Sequence, residues 1–387
     1  MVAVVFRYVH HYRRDFYERV RVLLDQRGVD FRLVAGQPGP VGLPKEDAVD
    51  LPWAIHIRNR YYRVGNRQLC WQPCLRHVWD ADLVIVEQAS KLLANHILTA
   101  GRYLGGPRLA LWGHGHNIQP HRASAPGEAV KRMLSRHVDW WFAYNEASVE
   151  VVKAIGFPPE RITSVQNAVD TRWLSVARDG LSDADIAAER RRLGLRGAHI
   201  GVFAGALYDD KRLAFLIDAG DRVRERLPDF ELLVIGAGPD RPLVHRAAAS
   251  RPWMHALGPL YGLEKVRAMS TAKALLLPGL VGLAVLDGFA LGLPLVTTRV
   301  PFHSHEIAYV APGENAIIVQ EWRDSASYAD AVVRLFTDDA LLERLREGCR
   351  VAAGTFTLEA MTRNFADGVA NALTALGRPP AAPVGPC

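Results

Sequence analysis

The chain has 387 residues, enough for two or three domains at roughly 100–200 residues each, with large buried cores. It is 49% apolar and 23% charged, an ordinary globular balance that excludes disordered, collagenous and coiled-coil classes. Net charge is +6 but uneven: residues 1–180 carry 24 Lys and Arg against 17 Asp and Glu, net +7, and the remainder is net −1. A basic front half suits an anionic partner, a phosphate-bearing acceptor or an anionic membrane face. No RNP, helix-turn-helix or zinc-finger pattern points to nucleic acid. The four cysteines are too few for a disulfide scaffold, and Cys70 and Cys74 lack a second Cys/His pair at metal spacing. They read as thiols of a reducing compartment. The first residues, MVAVVFRYVHHYRR, place apolar before basic residues without a small-residue cleavage site, the wrong order for a secretory signal.

Short apolar runs alternate with amphipathic stretches, as repeated βα units in parallel sheets do. The candidate strands of the first half are Val2–Phe6, Phe31–Ala35, Leu83–Glu87, Arg108–Trp112, Trp140–Tyr144 and Ile162–Val165. Those of the second are Ile200–Phe203, Glu231–Ile235, Lys273–Leu277, Pro294–Thr298 and Ala316–Val319. Runs such as LVIVE and LLVIG are apolar without alternation, as in strands covered on both faces. Leu213, Leu216, Ile217, Gly220, Val223 and Leu227 keep the spacing of a helix lying on a sheet. Polar residues 175–198 read as a linker between a first domain, 1–174, and a second, 199–354. Residues 355–377 read as a closing helix, and 378–387 as a Pro-rich flexible tail. The nearly continuous apolar stretch 272–296 contains Lys273, Pro278, Asp287 and Pro294, which argues for a strand, a glycine turn and a buried helix rather than a membrane span.

The densest chemistry lies in Pro278-Gly-Leu-Val-Gly-Leu-Ala-Val-Leu-Asp287. A strand end, a turn at Gly279 and Gly282 and a helix start would aim the backbone N–H groups of Leu283 and Ala284 at an anion. Asp287, one turn on, suits the paired hydroxyls of a ribose. The segment resembles glycosyltransferase family 4, whose pattern here is P-S-x-x-E-G-F-G-L-x-x-L-E-A-M-A-x-G-x-P-V-V. Asp287 stands at its second, ribose-binding acid, while Gly279 replaces the first, which contacts the donor sugar. Gly205 and Lys211 match F-x-G-R-x-x-x-x-K, in which the lysine binds diphosphate, and Ala206 replaces the arginine; Arg212 is a candidate second cation. Gly236-Ala-Gly238-Pro239 resembles the family's nucleotide-side turn rather than a dinucleotide GxGxxG loop, since Arg241 holds the third glycine position.

In the front half, His114 resembles the family's active-site histidine, with His116 on the same loop. His11, Tyr12 and Arg13 resemble the H-Y-R-x-x-F-Y opening of a branch found in polysaccharide and lipopolysaccharide assembly, and with Glu87 they are candidate acceptor contacts. Gln166-Asn-Ala-Val-Asp170 reads as an architectural turn. His303 and Glu306 resemble a later H-S-P-E-I stretch and are candidates for the sugar contacts Gly279 cannot make. The tripeptides Asp80-Ala-Asp82 and Asp183-Ala-Asp185 read as helix caps or solvated charge, so no metal is expected. The resemblance spans nearly the whole chain. It implies a GT-B fold, α/β with two Rossmann-like doubly wound parallel-sheet domains facing a central cleft. The implied activity is retaining, metal-independent hexosyl or deoxyhexosyl transfer from a UDP-, GDP- or dTDP-sugar, with no further cofactor, to a glycan, lipid-linked or small-molecule hydroxyl. The implied setting is cytoplasmic, with peripheral contact to an anionic membrane face. Losing the acid at Gly279 and the arginine at Ala206 raises the alternative of a non-catalytic partner subunit binding nucleotide or glycan. A phosphorylase-like enzyme using pyridoxal phosphate would need a Schiff-base lysine and a longer chain.

Overall fold

The computed structural model describes residues 1–39, 48–65, 67–115 and 135–378. The chain divides into two compact units, Met1–Val169 with Leu358–Cys387, and Asp170–Thr357.

The first unit is built on a seven-stranded parallel sheet. Its strands are β1 (Val2–Phe6), β2 (Phe31–Ala35), β3 (Ile55–His56), β6 (Leu83–Glu87), β7 (Arg108–Gly113), β8 (Trp140–Ala143) and β9 (Ile162–Ser164), in the order β3-β2-β1-β6-β7-β8-β9. Strands β4 (Arg60–Val64) and β5 (Arg67–Trp71) form a separate antiparallel hairpin. Central strands β1, β6 and β7 are buried along nearly their whole length, which explains their unalternated apolar sequences. The last helix, Leu358–Ala375, packs its Phe365 against Phe16, Trp112 and Phe142 of this unit.

The second unit carries a six-stranded parallel sheet, β12-β11-β10-β13-β14-β15, made of β10 (His199–Ala204), β11 (Phe230–Ile235), β12 (Met254–Gly258), β13 (Ala274–Leu276), β14 (Leu295–Thr298) and β15 (Ala316–Val319). In both sheets the order reverses beside the first strand, between β1 and β6 and between β10 and β13. In open α/β sheets ligands bind at such reversals, beyond the carboxyl ends of the strands.

The expected linker, 175–198, is not extended. Helices Arg172–Asp179 and Asp183–Arg192 pack against helix Gly262–Ser270 of the second unit, and Ser175 Oγ donates to Ala290 O at 3.1 Å. Apart from the buried Glu189, which pairs with Arg192, their charged residues are exposed or half-exposed, which is why the sequence reads as a linker. Asp185 closes a capping box with Ser182. Asp82 holds the N-terminal ammonium at 2.6 Å and Asp80 pairs with Arg32 at 3.1 Å, so three of these four aspartates have structural partners. The apolar stretch 272–296 folds as β13, a loop, helix Ala284–Ala290 and β14. Among the described residues no helix is long and apolar enough to cross a membrane. Cys70, Cys74 and Cys349 are buried free thiols.

Candidate functional site

In the second unit, the loops after β10, β11 and β13 are sewn into one floor at the sheet's carboxyl edge. Gly205 N–H donates to Ile235 O at 3.0 Å, Leu207 N–H to Ala237 O at 2.8 Å, and Leu280 N–H to Asp210 O at 2.8 Å. The glycines are what permit this closeness. A β-carbon on Gly236 (φ 149°) would lie 1.8 Å from Gly205 O, and one on Gly238 (φ 153°) 2.2 Å from Leu207 O. Gly279 is packed the same way: a β-carbon there would come within 2.2 Å of Asp210 O and 2.7 Å of the Lys211 carbonyl carbon. The position of the missing first acid therefore has no room for any side chain.

Lys211 ends the turn Asp209–Lys211 with its side chain folded under this floor, only 6% exposed. Its Nζ donates to Leu280 O at 2.6 Å and lies 3.8 Å from where a Gly282 β-carbon would sit. Burial pushes the ammonium down to about 8, against the pull of Glu306 and Asp210. Above it Gly282, Leu283 and Ala284 are half-exposed. The first turn bonds run from Val285 N–H to Gly282 O and Leu286 N–H to Leu283 O, so the Leu283 and Ala284 amides precede that ladder. A β-carbon on Gly205 would meet nothing within 4 Å, so the floor is open there. Cation, glycines and leading amides together suit an anion with several oxygens.

The other expected residues of this unit divide by what they touch. Arg212 is turned aside: its Cζ lies 4.0 Å from the Phe215 ring centroid and 5.2 Å from that of Trp322, and Nη1 donates to Thr298 Oγ1 at 3.2 Å. His303 has both ring nitrogens engaged. Nε2 donates to Thr298 O at 2.7 Å, and Nδ1 accepts from Val281 N–H at 3.2 Å. Burial, helped by Lys211 and Arg299, pushes it down to about 4 despite the Thr298 bond, so it is a neutral pin under the loop 278–283. Glu306 is buried, accepts from Ser304 Oγ and exerts its charge on Lys211. Asp287 is paired with Lys265 at 2.5 Å, their side chains 17% and 23% exposed, a partner the sequence reading missed.

In the first unit, the reversal between β1 and β6 holds a pocket lined by Arg7, Tyr8, His10, Tyr12, Glu87 and Tyr144 among others. Glu87 accepts two bonds from Arg7, Nε to Oε2 at 3.1 Å and Nη2 to Oε1 at 3.0 Å. The ring of His10 lies 4.6 Å from Tyr8 and 5.1 Å from Tyr12, forming an aromatic wall. His11 is exposed on the following turn. Arg13 also lines this pocket, but it is only 7% exposed and its guanidinium is bonded to Asn167 Oδ1 and, at 3.4 Å, to Ala168 O. It ties the loop after β1 to the end of the first segment. His114 follows β7, and its ring stacks on Tyr144 with centroids 3.9 Å apart. His116 lies outside the described residues.

Residues 198–338, which contain this floor, match a family model described as Glycosyl transferases group 1. The chain is 24% identical over 336 residues to an alpha-D-kanosaminyltransferase of Streptomyces kanamyceticus, covering 80% of this chain and 78% of the relative. It is 29% identical over 187 residues to a phosphatidyl-myo-inositol mannosyltransferase of Mycobacterium leprae (strain TN), covering 46% and 45%. Among solved structures it is similar to Anabaena HepE in complex with UDP, with TM-score 0.68, 15% identity and coverage of 95% of this chain and 99% of that one. WaaG, a glycosyltransferase involved in lipopolysaccharide biosynthesis, gives TM-score 0.63 at 16% identity, covering 95% and 99%. Two Rossmann-like parallel sheets and these matches define the class as GT-B. The chain is a glycosyltransferase of that fold.

Proposed function

We propose that the enzyme moves a sugar, with retention of configuration and without a metal, from a nucleoside-diphosphate sugar to an acceptor hydroxyl. The observation that carries this reading is the buried Lys211 ammonium beneath Gly282. It supplies fixed positive charge where a departing diphosphate develops negative charge, and the Leu283 and Ala284 amides add oriented donors. Asp287 takes the ribose diol, with Lys265 holding its carboxylate in place. Glu306, beside Ser304, is the carboxylate we assign to sugar hydroxyls, since His303 is committed to the loop. The acceptor hydroxyl attacks from the leaving-group face, and a phosphate oxygen of the leaving group takes its proton. HepE, a structural neighbour, was solved with UDP and with UDP-glucose, which favours uridine among the candidate bases.

The acceptor is assigned to the first unit's pocket, with Glu87 and Tyr12 as hydroxyl partners. The Arg7–Glu87 pair holds that carboxylate in place, and Arg13 adds a second cation to the lining. The setting we assign is cytoplasmic, at an anionic membrane face. Residues 51–79, with five Arg and no Asp or Glu, support that contact. The relatives named above are all transferases, and the lost acid at Gly279 follows from packing, so a non-catalytic partner subunit is not favoured. A thermal-shift panel of UDP, GDP, dTDP and their sugars tests the reading. Stabilisation of ~2.7 kcal/mol is expected at a hundredfold excess over Kd. Lys211→Ala or Asp287→Ala should abolish it, and a full shift in either variant would refute the site.

A further inference from the structure

The sheet of the first unit does not end cleanly at His114. The β6–β7 ladder continues one step past β6, with Gln88 N–H donating to Trp112 O at 2.9 Å. Beyond that, the Gln88 side chain takes over from the backbone. Its Oε1 accepts from Gly115 N–H at 2.9 Å, and its Nε2 donates to Gly115 O at 3.0 Å and to Ser135 Oγ at 3.1 Å. A primary amide meeting both polar groups of one residue mimics a strand neighbour, and it fixes the peptide units on that side of His114.

Both glycines flanking the histidine serve this clamp. A β-carbon on Gly113 would lie 2.4 Å from Gln88 Cβ, so only glycine lets the glutamine approach. Gly115 has φ +83°, and a β-carbon there would lie 2.6 Å from Val151 Cγ1. On the other side Tyr144 N–H donates to Gly113 O at 3.2 Å while its ring stacks on the imidazole. Backbone and ring of His114 are therefore held by two residues, Gln88 and Tyr144, that no motif flagged.

We infer that Gln88 is a positioning residue for His114, fixing the imidazole against Tyr144 for the transfer step. The inference rests on the transferase reading and on the resemblance of His114 to an active-site histidine. Displacing a catalytic group by an ångström costs up to about a hundredfold in rate without altering substrate binding.

The test uses Gln88→Leu, and Gln88→Glu as a shape-preserving second variant that cannot donate to Gly115 O at neutral pH. Two readouts are needed. With ring-labelled histidine, the His114 Cε1–H resonance, assigned by its loss in His114→Ala, should be displaced by the Tyr144 ring current in the wild type. It should move toward the free-histidine position in both Gln88 variants. With the nucleotide sugar that stabilises the enzyme most in the thermal panel, kcat should fall at least about tenfold while donor KM stays within about twofold. An unmoved resonance, or a moved resonance with unchanged kcat, overturns the inference. Failure of the transferase reading is distinguishable, because the wild-type protein would then release no sugar from any nucleotide donor.

Discussion

Both units reverse strand order beside their first strand, yet they furnish that position with different chemistry. In the second unit the reversal between β10 and β13 holds Lys211, a buried ammonium pressed against glycine backbone. In the first, the reversal between β1 and β6 is bridged by Arg7 and Glu87, side chains of opposite charge at 3.0 Å, inside a wall of aromatic rings. One position offers a lone buried cation; the other sets Arg7, Arg13 and Glu87 among tyrosine hydroxyls and flat aromatic faces. Two of the front half's arginines are matched by acids of the last helix, in the Arg19–Glu359 and Arg27–Asp367 pairs, and Arg13 is turned inward. Net charge marks a basic unit, whereas the proposed anion site rests on one buried cation beside glycine backbone.

Substitutions can break this contrast. The largest effect is expected from Lys211→Ala, which removes the second unit's fixed charge: turnover should fall about 100- to 1,000-fold in steady-state donor assays, and the nucleotide-induced thermal shift should vanish. Arg13→Ala is the matching change in the first unit. Its guanidinium serves Asn167 and the Ala168 carbonyl, so denaturant titration should show about 2–3 kcal/mol of lost stability. Gly279→Ala forces a β-carbon onto Asp210 O and should cost about 1–3 kcal/mol, with weakened nucleotide binding as the loop lifts from Lys211.

The pH response should carry the same signature. The Lys211 ammonium, held at about 8 in the free enzyme, loses its proton as pH rises from 7 to 9, so diphosphate affinity measured by calorimetry should fall over that range. Lys211→Arg should flatten the profile. The folding contribution has the opposite sign. The folded value lies below the ordinary 10.5, so above about 8 the unfolded chain binds more protons and this residue favours the folded state increasingly until 10.5. The smallest effect is a gain. Ala206 is exposed, so Ala206→Arg should fit and tighten nucleoside diphosphate binding by about threefold.

Central strands were legible because burial on both faces leaves a continuous apolar run, as in Leu83–Glu87 and Glu231–Ile235. Strand β12 was not, since its residues after Met254 are only half-buried and include His255. The hairpin β4–β5 was hidden too, because Arg60, Tyr62, Arg63 and Val64 face solvent and show no apolar alternation. The glycines of the second unit's floor were legible because backbone contact demands that residue type at a fixed spacing, whereas Lys211 was singled out by its resemblance to a family pattern. The partners that aim the site were not: Lys265 reaches Asp287 from another helix, Ser304 reaches Glu306 and Val281, and Gln88 reaches Gly115 across the sheet edge. Such contacts depend on tertiary placement, which no local pattern encodes. Arg13 shows the converse, a residue inside a recognisable motif whose guanidinium is bonded within the fold while it also lines the pocket.

The most direct test is calorimetric titration at pH 7 of wild type and Lys211→Ala with UDP, GDP and dTDP, and with the corresponding nucleosides. The account predicts that one diphosphate binds the wild type, that Lys211→Ala loses at least about a hundredfold of that affinity, and that the weak binding of its nucleoside is the same in both proteins. Equal diphosphate affinity in the two proteins would contradict it.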